Sequence, residues 1–353
     1  MGVKKPQLDS LQALRTIAFL EIIAAHTGVF PNGAWGVTVF FALSGFVMVY
    51  NYFDREIDYS VKGSVGFSLN KIKKLYPLHI LMTLGALPFV LYDIKFNPGE
   101  MTVSDALIQG GLNITLLQTW YPDTTFNKSF NSVAWYLSAC LFIYACFPFI
   151  ISKIRKFKSD ASAYVMIAII YALMILVGFL MSFTGDADLC KWVTYYLPIY
   201  RLGDFVIGCG LGYIFIKKPW KFNKVNSTIL EIALVAVIVV CTYIYKEELT
   251  FLGSPWFKFS ELYIPSTALL LMVVASGEGI LTKMCTNKAF LWIAAISGSG
   301  FLIHLNIIRY VDALTVKGFG FQLNAWEMFV VSTVLTFIAC IIWQRIEKKF
   351  GKK

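Results

Sequence analysis

Two side chains in one stretch, RTIAFLEIIAAH at residues 15–26, have the type and spacing to do chemistry together: Arg15 and His26. They are eleven residues apart, which at ~100° per residue returns to within about 20° of one helix face, about 16 Å further along the axis. Both therefore address one interior surface. A histidine accepts a proton near neutral pH, and a guanidinium makes forked bonds to carbonyl or phosphate oxygens. Taken singly, such an arginine can snorkel and such a histidine can serve a neighbouring helix. Glu21 lies about 120° from their face, so it must pair with another helix or stay protonated.

These groups stand inside an apolar run, and charges at bilayer depth are costly unless they face a bundle interior or a wet cavity. The whole chain is of this kind. It is 58% hydrophobic and 15% charged over 353 residues, with long apolar runs separated by short polar stretches. That predicts an all-α, polytopic membrane helical bundle. The runs 11–30, 33–53, 75–93, 131–152, 161–183, 198–216, 227–245, 261–280, 289–310 and 325–344 are each close to the ~20 residues a span requires. About ten transmembrane helices are expected, with residues 1–353 forming a single domain.

The formal net charge of +10 is a topology signal. Lysines and arginines gather at 4–5, 71–74, 153–158, 217–224, 283–288 and 345–353, in alternate loops. The positive-inside rule puts those loops and both termini in the cytoplasm, and no nucleic acid partner is implied. Residues 105–119 are read as non-spanning, since a crossing there would put the basic loops on opposite sides. The first run carries charges and lacks a small-residue cleavage site, so it is not read as a signal peptide. Asp9 and Gln12 offer a capping box for the first helix. The seven cysteines have no metal-ligand spacing, and no metal is expected.

The order of motifs resembles acyltransferase family 3, the bacterial integral-membrane O-acyltransferases. Arg15-x10-His26 is followed by Gly36-Val37-Thr38-Val39-Phe40-Phe41-Ala42-Leu43-Ser44-Gly45-Phe46, then by Lys71-Ile72-Lys73-Lys74-Leu75-Tyr76-Pro77 and by NSVAWYLS at 131–138. Pro198 to Gly208, PIYRLGDFVIG, and Ser299 to His304, SGFLIH, complete the set. Lys71 and Lys74 stand where the family carries arginines, Tyr136 where serine is usual after tryptophan, and Cys140 where many members have glutamate. No segment corresponds to the family's soluble esterase-like extension.

The resemblance implies a ten-helix core in the bacterial cytoplasmic membrane. It also implies transfer of an acyl group, usually acetyl, from cytoplasmic acyl-CoA to a hydroxyl of an envelope or lipid-linked glycan, with acetyl-CoA a donor substrate rather than a bound cofactor. His26 would be general base or transient acyl carrier, and Arg15 would hold a donor oxygen. Lys71 and Lys74, three apart on one helical side at the membrane edge, would meet the phosphates of CoA or serve topology alone, and His79, just beyond, reads as structural. Arg201 and Asp204, one turn apart, would bind substrate or clamp each other. With His304 and Trp135 they form the expected substrate-binding set, at the depth of His26. Tryptophans near predicted outer boundaries, among them Trp35, Trp120, Trp192, Trp256 and Trp326, read mainly as an interfacial belt. The resemblance leaves a homo-oligomer open. A transporter or flippase is the competing reading, in which the intramembrane charges line a pathway.

Overall fold

The computed structural model describes residues 6–97, 99, 101–246 and 259–350; Lys4, Lys5, Trp256, Lys352 and Lys353 lie outside them. Among the described residues the chain is helical, without a strand. In chain order the helices are α1 (Asp9–His26), α2 (Ala34–Tyr52), α3 (Val61–Ile72), α4 (Tyr76–Gly85), α5 (Leu87–Phe96), α6 (Val103–Thr115), α7 (Thr124–Asn127), α8 (Trp135–Ile154), α9 (Asp160–Ser182), α10 (Ala187–Lys191), α11 (Pro198–Lys217), α12 (Lys224–Lys246), α13 (Ser260–Ser276), α14 (Ile280–Cys285), α15 (Lys288–Ala313) and α16 (Ala325–Phe350).

Eight stretches among the described residues are long and apolar enough to cross a membrane: Ala34–Tyr52, Tyr76–Phe96, Ser132–Ile154, Asp160–Ser182, Ala187–Lys217, Lys224–Tyr243, Lys288–Phe319 and Ala325–Lys349. The other two expected spans are α1, whose 18 residues include Asp9, Arg15 and Glu21, and α13, a 17-residue apolar helix. Both pack in the core through fully buried side chains such as Phe19, Ile23, Tyr263 and Leu271. The protein is a helical polytopic membrane protein.

At one end of the bundle, here called the basic end, Arg155 ties the α2 terminus to the α8 terminus. Its Nε donates to the Phe53 carbonyl at 2.8 Å and its Nη2 to the Tyr52 carbonyl at 2.6 Å. From there α2 and α11 cross at backbone contact. A Cβ on Gly45 would meet the Phe205 carbonyl, and one on Gly208 the Ala42 carbonyl, the small-residue packing usual where van der Waals fit holds membrane helices together.

Three local expectations change. Residues 54–74, read as a loop, contain α3, which packs on α8: Ser68 Oγ donates to the Leu141 carbonyl at 2.5 Å and the Phe67 ring stacks on Phe147. Lys71 ends α3 while Lys74 lies in the turn before α4, so the two do not share a helical side. Pro77 forces that turn, because in the first turn of α4 it has no N–H to give the Lys73 carbonyl. Pro88 divides the expected span at 75–93 into α4 and α5 in the same way, while Tyr76–Phe96 remains one stretch long and apolar enough to cross. Gln12 does not cap α1: Leu8 occupies the N-cap without a side-chain bond, and Gln12 accepts from Arg15 instead. His79 has the structural place expected of it: it is buried against α6, its Nε2 2.9 Å from the Asn113 carbonyl. At 13 residues, α6 is about 20 Å long, too short for a ~30 Å hydrocarbon core.

Candidate functional site

Helix α1 runs from the basic end, and α15 lies alongside it. Thr16 Oγ1 donates to the Phe290 carbonyl at 2.6 Å near the start of both. Further along, Gly300 lets the Phe19 ring pack on the α15 backbone. At the far end of α1 the two histidines meet: His304 Nε2 lies 3.0 Å from His26 Nδ1, across 278 residues of sequence.

The hydrogen bonds assign the protons of neutral rings. His304 Nδ1 faces the carbonyls of Phe301 at 2.8 Å and Gly300 at 3.2 Å. Carbonyls only accept, so Nδ1 carries the hydrogen and Nε2 keeps its lone pair. That lone pair accepts from His26 Nδ1–H, leaving His26 Nε2 unprotonated. His304 is fully buried while the His26 ring is exposed. The pair therefore presents one free basic nitrogen to the surroundings, oriented by a buried partner, which is the arrangement a general base requires.

Arg15 faces a different space. A cavity of about 280 Å³ is lined by Arg15, Ser44, Tyr136, Tyr144, Phe40 and Phe301, with Leu75, Leu302 and small residues of α15 closing it. Among the described residues no carboxylate forms an ion pair with Arg15. Its Nη1 donates to Gln12 Oε1 at 3.4 Å, and its buried Nε has no partner. Ser44 lies within reach of both tyrosine hydroxyls, and Cys140 stands behind them. Gln12 in turn lines a second cavity of about 510 Å³ with Leu8, Val47, Tyr50 and Asn51 at the basic end. An interior cation with an unused donor can hold a carbonyl or phosphate oxygen.

Leu75, one residue past Lys74, lines the Arg15 cavity, which puts the lysine turn beside it. Lys71 Nζ lies 4.6 Å from the Tyr52 ring centroid, and Lys74 is exposed.

Of the groups expected to converge on His26, His304 meets it, while Arg201 and Asp204 bond each other. Arg201 and Asp204 are fully buried and bonded at 2.9 Å. Arg201 Nε donates to the Tyr195 carbonyl at 2.7 Å, released by the π-turn at Trp192–Tyr196. Its Nη1 also bonds Ser260, whose Oγ donates to Asp204 at 2.9 Å. The guanidinium sits over the rings of Tyr195, Trp135 and Phe41. The pair is thus held by its neighbours, with Arg201 Nη2 and Asp204 Oδ1 buried and without a hydrogen-bond partner, and Trp135 is buried as part of that cage. Beside it, Tyr200 bonds Glu261, and Tyr171 donates at 2.9 Å to the Glu261 carbonyl that Pro265 leaves free.

Glu21 takes neither part. Its Oε2 accepts from Gly36 N–H at 3.2 Å in the first turn of α2, where a carboxyl satisfies an otherwise orphaned donor. It borders an apolar groove on the other side of α1. Sequence reasoning missed Tyr144 and Glu261. The four-residue spacing of Tyr136, Cys140 and Tyr144 was the available signal, since it places all three on one side of α8.

The sequence profile described as an acyltransferase domain, that of acyltransferase family 3, matches residues 8–344. The acyltransferase MdmB of Streptomyces mycarofaciens is 26% identical over 343 residues, covering 89% of this chain and 82% of that protein. The O-acetyltransferase OatA of Staphylococcus aureus is 25% identical over 376 residues, covering 98% of this chain and 57% of its own. The chain therefore spans just over half the length of that relative. No solved structure matches.

Proposed function

Since the chain belongs to acyltransferase family 3 and is a membrane acyltransferase, we propose that it moves an acetyl group from acyl-CoA to a hydroxyl of an envelope or lipid-linked glycan. The observation that carries this reading is the pairing of His26 with His304, which leaves a basic nitrogen free at one end of α1. At the other end Arg15 presents an unpartnered donor to a cavity. A transporter needs neither the oriented lone pair nor its buried partner.

In this reading acyl-CoA approaches from the basic end, the cytoplasmic one by the distribution of lysine and arginine. Its phosphates meet Lys71 and Lys74, and its arm enters past Gln12. Arg15 holds an oxygen of the donor's arm in its cavity, and the thioester carbonyl lies further along, toward His26, where the hydroxyl attacks it. His26 Nε2 takes the hydroxyl proton as the new C–O bond forms. The C–S bond breaks, and the proton passes to the departing sulfur, giving free CoA–SH and the ester. His304 holds the His26 ring in the tautomer this requires. The acceptor meets His26 at the end remote from the lysines, which the same charge rule assigns to the outer side of the bacterial cytoplasmic membrane.

The test compares envelope glycans, by mass spectrometry, from cells with and without the gene, and supplies labelled acetyl-CoA to vesicles of each. Loss of one acetylated glycan and of label transfer is the expected result. Unchanged glycans together with acceptor movement that needs no acyl-CoA would establish transport instead.

A further inference from the structure

Three rings in mutual contact line the Arg15 cavity, and one of them, Phe301, also faces the histidine pair. Phe40, Tyr136 and Phe301 all line the cavity, and their centroids form a triangle of 6.1 Å (Phe40–Tyr136), 6.1 Å (Phe40–Phe301) and 5.2 Å (Tyr136–Phe301). On its other side Phe301 faces the His304 ring at 5.8 Å. Aromatic rings with centroids between 4.5 and 7 Å apart are packed against each other, so the triangle is closed. Phe40 and Phe301 are buried and hence confined. Tyr136 rests on Phe41 at 4.5 Å, and Phe41 lies under the Arg201 guanidinium, 5.8 Å from its centroid. The buried Arg201–Asp204–Ser260 cluster therefore backs this collar.

Resting on the reading that acyl-CoA enters through the Arg15 cavity, we propose that Phe40, Tyr136 and Phe301 are specificity-determining residues that set the length of the transferred acyl group. A thioester arriving from the basic end leads with its acyl tail, and the carbonyl follows. The tail must pass the three rings before the carbonyl comes within reach of a hydroxyl on the histidine side. A methyl group needs about one carbon–carbon contact distance, ~4 Å, and a small ring rotation provides it. Each added methylene must be housed among or beyond rings that are already in contact, and crowding an apolar site by one methylene changes relative rates about tenfold or more. The collar therefore selects acetyl over longer chains.

The experiment uses the full chain in proteoliposomes with acetyl-, butyryl- and hexanoyl-CoA and glycans extracted from cells lacking the gene. Wild type is expected to prefer acetyl. Tyr136→Ala should raise the butyryl-to-acetyl ratio of kcat/KM by about tenfold or more, and Phe301→Ala should do likewise. Tyr136→Phe, which keeps the ring and loses only the hydroxyl, should hold the ratio within about twofold. Phe40→Leu is scored by the same ratio if either alanine variant does not fold. Variants that transfer acetyl with the wild-type length profile overturn the collar while the acyl-CoA reading stands. A folded wild type that transfers from none of the three donors overturns both.

Discussion

Replacing His304 by alanine tests the assignment of its role, because that side chain touches the base and not the acceptor. The ring is fully buried, accepts from His26 Nδ1–H at 3.0 Å and is itself held by the Phe301 carbonyl at 2.8 Å. A neutral hydrogen bond of this kind contributes about 1 kcal/mol net, so losing it lets His26 redistribute between tautomers about fivefold. Loss of ring orientation adds to this, and partners that orient a functional histidine are typically worth about 10–100-fold. The expected result is a kcat about 10–100-fold lower, with little change in KM. Removing the base itself costs about 10²–10⁴-fold. His304→Gln places an amide oxygen near the lost nitrogen and should recover most of the rate. The assay is transfer of labelled acetyl in proteoliposomes at saturating donor, with thermal unfolding in detergent to normalise for folded protein. A folded His304→Ala enzyme with wild-type kcat, or a glutamine variant no better than alanine, would refute the reasoning.

Three further outcomes are expected. Arg15→Lys keeps the charge but loses the guanidinium geometry and the Nε donor, so kcat/KM should fall about tenfold or more; donor titrations in the same vesicles measure it, and an unaffected enzyme would remove Arg15 from donor binding. Lys71→Ala combined with Lys74→Ala should raise the KM for acetyl-CoA several-fold at low salt, and the difference should shrink as salt screens the phosphates; an unchanged KM makes these lysines topology determinants alone. Asp204→Ala strands the buried Arg201 charge, which should destabilise the fold by about 3–5 kcal/mol, read as a lower unfolding temperature, while KM for the acceptor in the surviving folded fraction stays the same; a raised acceptor KM at full stability would return Asp204 to the substrate site.

Much of this architecture was legible because the membrane restricts the choices. The apolar run lengths gave the helices, and the 3.6-residue period placed Arg15 and His26 on one face without any tertiary information. What stayed hidden depended on contacts remote in sequence. His304 could be set at the depth of His26 by counting residues, but the 3.0 Å bond that makes it a partner of the base depends on how α1 and α15 pack. Arg201 and Asp204 passed the same depth argument and proved to face Ser260 and an aromatic cage, because depth along a span leaves rotation about its axis undetermined. The lysine pair was misplaced for a local reason: Pro77 ends the helical register between Lys71 and Lys74. The missed α3 is amphipathic, with a buried side made of Ser64, Ser68 and Ile72, so its polar residues read as a loop.

The most direct measurement of the central claim is transfer of labelled acetyl from acetyl-CoA to an acceptor glycan in proteoliposomes, with wild type beside His26→Ala. The protein is equally folded in both by thermal unfolding, and acetyl-CoA is present at equal concentration. His26 Nε2 as the base predicts label on the glycan with wild type and a loss of about 10²–10⁴-fold with the variant. Equal labelling by the two would contradict it.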